Sequence, residues 1–114
     1  MSRNHLHTFA TIALLAATPS ICLAQGSVTI QSPKDGATLD ALDENRLLYE
    51  FDPGPRGDHV HVYVDNKEVA LLRQKKGSFL FESLSTGKHD LCVKVVNKAH
   101  VPIGIGQCVK VTVN

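Results

Sequence analysis

Past residue 24, apolar and polar positions alternate with a period of two, and no useful length of chain carries the 3.6-residue period of a helix. Residues 27–31 (SVTIQ) predict a first strand, closed by the turn formers Ser32-Pro33-Lys34-Asp35-Gly36. Residues 46–51 set Leu47, Tyr49 and Phe51 on one face against Arg46, Leu48 and Glu50 on the other. The proline- and glycine-rich stretch 52–58 breaks both regular structures and predicts a loop. Residues 59–65 turn Val60, Val62 and Val64 inward and His59, His61 and Tyr63 outward. Short strands follow at 68–72 and 78–82, with turns at 65–67 and 85–88.

The last two strands, 89–96 and 106–113, form the clearest hairpin. Leu91, Val93 and Val95 share a face with His89, opposite Asp90, Cys92, Lys94 and Val96. In the final strand Gln107, Val109, Val111 and Val113 alternate against Cys108, Lys110 and Thr112. Setting Cys92 opposite Cys108 centres the hairpin on His100, within a predicted loop 97–104 that holds Pro102 and Gly104. Register and loop agree on a cross-strand disulfide on the outer, solvent-facing side. It closes a loop of about 17 residues, worth on the order of 3 kcal/mol in the entropic account. Seven short strands with regularly spaced turns predict an all-β, immunoglobulin-like antiparallel β-sandwich. The buried tryptophan and inter-sheet cysteine pair of antibody domains are missing, and a cupredoxin-like sandwich is the structural rival.

The first 24 residues follow a different rule. Arg3 precedes an apolar run at 9–17 (FATIALLAA), then Thr18-Pro19-Ser20 and small residues ending at Ala24. That order reads as a secretory signal, cleaved after Ala24, and its apolar run is far short of the roughly 20 residues of a membrane span. Cys22 raises a lipoprotein alternative, which Ile21 argues against, because a small residue belongs there. The expected domain is therefore 25–114, periplasmic or secreted, with no membrane span. Taking Arg3 from the twelve basic residues leaves eleven against eleven acidic ones. Nucleic acid and anionic membranes both call for a basic excess, so neither is an expected partner. Export also favours pairing of the two remaining cysteines.

Four histidines survive the expected cleavage. His59 and His61 point the same way from neighbouring pleats, and the sandwich brings the loop carrying His100 to the same end. A His-x-His strand with a loop-borne third histidine is a candidate three-nitrogen site for Cu(II) or Zn(II). Asp58 and Asp90 are candidates to support it, though Asp90 lies toward the other end of its strand, and His89 reads as a packing or turn residue at that opposite end. Without Met1 the chain holds no methionine, which argues against a methionine-rich Cu(I) carrier, and a disulfide excludes a blue-copper thiolate. Exposed His-x-His strands also occur as plain solvated surface. No Gly-x-Ser-x-Gly, His-Glu-x-x-His or phosphate-binding glycine loop is present, so the expectation is not an enzyme. The basic run Arg73-Gln74-Lys75-Lys76 reads as a solvated loop.

Three segments carry a resemblance: 58–65 (DHVHVYVD), 84–91 (LSTGKHDL) and 100–104 (HVPIG), with the opening Ser32-Pro33-Lys34-Asp35-Gly36-Ala37. Together they resemble small bacterial periplasmic domains of immunoglobulin-like type, with a His-x-His strand and a Gly-x-His strand start. The resemblance implies the fold and an exported setting; the cysteine pair departs from that pattern. Two functions follow as expectations. One is a binding domain holding Cu(II) or Zn(II) through His59, His61 and His100. The other is a structural or protein-interaction module that docks on another envelope protein, through a sheet edge or outer face.

Overall fold

The computed structural model describes residues 25–114, so the signal segment expected at 1–24 lies outside the described residues. Among the described residues eight strands run in order: β1 (Ser27–Ser32), β2 (Ala37–Leu39), β3 (Asn45–Asp52), β4 (His59–Val64), β5 (Lys67–Leu72), β6 (Lys76–Phe81), β7 (Gly87–Val96) and β8 (Pro102–Val113). They form two sheets, β1-β3-β6 and β2-β8-β7-β4-β5. All pairings are antiparallel except β2 on β8. This is the expected immunoglobulin-like sandwich, with one strand more than the seven predicted. The extra strand, β2, is three residues long, too short for alternation to register. Between β1 and β2 the chain crosses from one sheet to the other through the cis Ser32-Pro33 bond and the Gly36 turn.

The core is the meeting of the inward faces. Leu47, Tyr49 and Phe51 of β3 pack against Val60 and Val62 of β4, Leu91, Val93 and Val95 of β7, and Val109, Val111 and Val113 of β8. Alternation fails inside β8. Lys94 pairs with Gly106 and Val96 with Pro102, so three residues of β8 oppose Val95 alone. Gly104 absorbs the excess at φ 86°, a conformation that costs a side-chain-bearing residue. The β8 strand therefore begins at Pro102, and the connecting loop is residues 97–101, shorter than the predicted 97–104. Proline is tolerated there because it opens the strand.

Cys92 and Cys108 are register partners joined by a disulfide, with Cα atoms 4.1 Å apart, as a close non-hydrogen-bonded pair requires. The two are not equally solvent-facing. Cys92 is only 5% exposed, because β7 lies between β4 and β8 and Tyr63 stands beside Cys92 on β4. Cys108 is exposed.

The loop between β3 and β4 is anchored where it meets β4. The Asp58 N–H donates to the Val96 carbonyl at 2.8 Å. A Cβ on Gly57 would run into the Pro53 carbonyl and fall 2.5 Å from Val95 Cγ1. Gly57→Ala is therefore expected to cost about 1–3 kcal/mol in urea denaturation, as overpacking does. A neutral result would mean that the loop shifts freely.

Candidate metal centre

His59 and His61 lie on the outer face of β4, in register with Val96 and Lys94 of β7, and His61 also pairs with Leu71 of β5. The face is the expected one, but these are not solvated face residues. His59 is 0% and His61 3% exposed, because β4 is flanked on both sides and the 97–101 loop folds over it. That loop is built by Asn97. Its Oδ1 accepts from the N–H groups of Ala99 (2.9 Å) and Val101 (3.0 Å), and its carbonyl accepts from the His100 N–H (2.9 Å). His100 is exposed and sits at φ 62°, where a β-carbon costs roughly 1–2 kcal/mol. A glycine or asparagine would meet the turn more easily, so the histidine stands at a strained position next to two buried ones.

Three ring nitrogens converge. His59 Nε2 lies 3.0 Å from His61 Nε2 and 3.1 Å from His100 Nδ1, and the last two are 3.2 Å apart. A point about 2 Å from all three, the ordinary metal–imidazole distance, exists just off their plane, with angles of about 100° between ligands. Three nitrogens of this kind leave further coordination positions free.

Two carboxylates stand at the outer ring nitrogens of the buried pair. Asp58 Oδ2 is 2.8 Å from His59 Nδ1 and accepts its proton. Glu68 Oε1 stands 3.3 Å from His61 Nδ1 and favours a proton there. Both Nε2 atoms are then bare acceptors facing the triangle. His100 Nδ1 can bring in one proton, which satisfies one lone pair and leaves the other without a donor. A cation on the three nitrogens removes that conflict. Burial pushes the His61 imidazole below its ordinary range, which outweighs the opposing Glu68 charge, so the ring is kept neutral as a ligand must be. Asp58 is held below the usual carboxylate range by its hydrogen bond to His59 and by Arg73, whose Nη1 is 3.2 Å away.

The sequence reading missed Glu68 and Arg73. Arg73 opens the run read as solvated loop, and neither residue neighbours a histidine along the chain. Only the β4–β5 register, with its bulge between Val62 and Tyr63, brings Glu68 to His61. Asp90, offered as a possible supporter, is elsewhere. Its carboxylate lies 3.9 Å from Lys110 at the far end of β7.

At that end Ser85, His89 and Asp65 mimic a nucleophile–base–acid relay, with Ser85 Oγ 3.3 Å from His89 Nε2 and Asp65 Oδ2 2.6 Å from Nδ1. Nε2 also lies 2.6 Å from the Ser85 carbonyl oxygen, which can only accept. Nε2 therefore carries a proton and is no base toward the hydroxyl. The ring ties two turns together, the role of a turn residue. The Asp65 hydrogen bond, then the Ser85 carbonyl, raises the His89 pKa. Because the folded value is the higher one, the stabilisation is complete below the unfolded value of about 6.5 and fades as pH rises through the folded value. Wild type is expected to exceed His89→Asn by about 1 kcal/mol in urea at pH 6, and by less at pH 9. A gap that widens with pH would contradict this linkage.

No protein-family model and no curated protein matches the chain. Among solved structures it is similar to the fibronectin(III)-like modules of Clostridium thermocellum CbhA, with TM-score 0.62 and 15% identity over 76% of this chain and 95% of that one. It is also similar to part of an engineered protein, with TM-score 0.56 and 18% identity over 81% of this chain and 21% of that one. A third likeness is to the extracellular domain of a putative hybrid two-component system from B. thetaiotaomicron, with TM-score 0.50 and 14% identity over 77% and 14% of the two chains. At these identities the likeness shows the fold alone, an immunoglobulin-like β-sandwich. Among the described residues no helix is long and apolar enough to cross a membrane.

Proposed function

We propose that this is an exported, non-catalytic binding domain whose His59, His61 and His100 hold Cu(II) or Zn(II). The observation that carries the reading is the nitrogen triangle of 3.0–3.2 Å, two of whose members are backed by carboxylates. Imidazole suits both ions, and with neither thiolate nor thioether in the set, Cu(I) gains least from it. Export is supported by the signal-like segment 1–24 and by the disulfide. Calorimetric titration of the purified, oxidised protein with Cu(II) and with Zn(II) tests the reading. One equivalent bound with a sharp isotherm is expected, and only weak, non-stoichiometric uptake would sink it.

A second reading is a structural or interaction module docking on another envelope protein. The observation favouring it is β5, an edge strand with Val69 44% and Leu71 39% exposed. A complex that survives both chelation and His59→Ala/His61→Ala would support it over the first.

A further inference from the structure

We infer, on the footing of that metal-binding reading, that the centre is built to give up its ion by ligand exchange, with an incoming nitrogen donor displacing His100, the ligand that yields. The three ligands are unequal in a way that sorts them by ease of release. His59 and His61 sit within 3% of full burial on a strand hydrogen-bonded on both sides, and each has a carboxylate at its Nδ1. A hydrogen-bonded outer-shell carboxylate, as Asp58 is to His59, fixes ring orientation and raises ligand basicity, and with their burial this makes these two the holding ligands.

His100 has none of this. It is exposed, it lies on a five-residue loop closed by Asn97, and its ring bonds only to the other two histidines among the described residues. Its backbone also stays at φ 62° against a steric cost, so letting the loop go relieves strain.

The way in is open as well. Three protein nitrogens leave at least a fourth position on the ion, and one of the three ligands, His100, is itself exposed. Val101, 53% exposed, follows His100, and Leu71, 39% exposed, is the cross-strand neighbour of His61. Apolar side chains on this rim give an approaching protein something to bury around a charged centre. An incoming nitrogen can therefore bind before His100 leaves, so the ion need not pass through a bare, two-ligand state. A sealed centre would instead release its ion only when the fold opens.

Stopped-flow mixing of the Zn(II)-loaded protein with free histidine, followed by a chromophoric zinc indicator, tests this. The release rate is expected to rise in proportion to histidine, about tenfold over a tenfold range well above the protein concentration. A rate that stays constant as histidine is raised overturns the inference. His100→Asn keeps the loop, because asparagine also tolerates positive φ, and removes the ligand. Its release is expected to be at least tenfold faster at the lowest histidine concentration, and an unchanged rate overturns the assignment of His100. A protein that takes up no stoichiometric Zn(II) overturns the underlying reading instead, and this is seen before any histidine is added.

Discussion

With His59 and His61 both replaced by alanine, the affinity for Cu(II) and Zn(II) is expected to fall by at least about 1000-fold. The floor comes from a weaker lesion, since losing only an outer-shell partner of a metal ligand typically costs about 10–100-fold. Here two of three nitrogens go, and with them the carboxylate contacts of Asp58 and Glu68. Asp58→Asn should fall in that weaker class, because it loosens His59 without removing a ligand. The effect is also visible as stability. An ion at about 1000 times its Kd raises the unfolding free energy of wild type by about 4 kcal/mol, and the double variant should gain nothing from it. Because two buried rings are removed, His61→Gln, which largely keeps the volume, separates lost binding from lost folding. His89→Ala, at the other end of the sandwich, should bind as wild type does. Equal binding by wild type and the double variant would mean that the ion sits elsewhere.

Replacing Cys92 and Cys108 together by alanine is expected to cost about 3 kcal/mol, the entropic value for a loop closed by residues 16 apart. For a domain of this size, that lowers the thermal midpoint by roughly 15 °C. The bond also joins strands that already pair at Gly87↔Val113 and Val96↔Pro102, so its main action is on the unfolded chain and not on the native register. Thermal melts of the oxidised protein, with and without reductant, measure it directly. An unchanged midpoint would show that this hairpin persists in the unfolded chain.

Much of this architecture was legible because its cause is local. Val60 and Val62, or Leu91, Val93 and Val95, announce a buried strand face wherever the chain runs, since alternate side chains must leave opposite faces of the backbone. The Cys92–Cys108 pairing followed from the same parity, once both strands were drawn toward a loop centred on His100. Where the local rule is broken, reading stopped short. The β2 strand exists only because β8 is beside it, and the two unmatched residues near Gly104 shortened a loop that composition alone made longer.

The candidate centre divides along the same line. Alternation put His59 and His61 on one face, and the end-to-end logic of a sandwich put His100 near them. The burial of that outward face was a different matter, because exposure depends on β5, β7 and the loop above, which local alternation does not see. So did the partners of the ring nitrogens. Glu68 reaches His61 across a bulged register, and Arg73 reaches Asp58 from the end of the neighbouring strand. A sequence specifies which way a side chain leaves its strand, because that is set by the backbone of one residue. The tertiary structure alone decides what it meets, because a contact is a property of two segments whose separation along the chain carries no information about their distance in space.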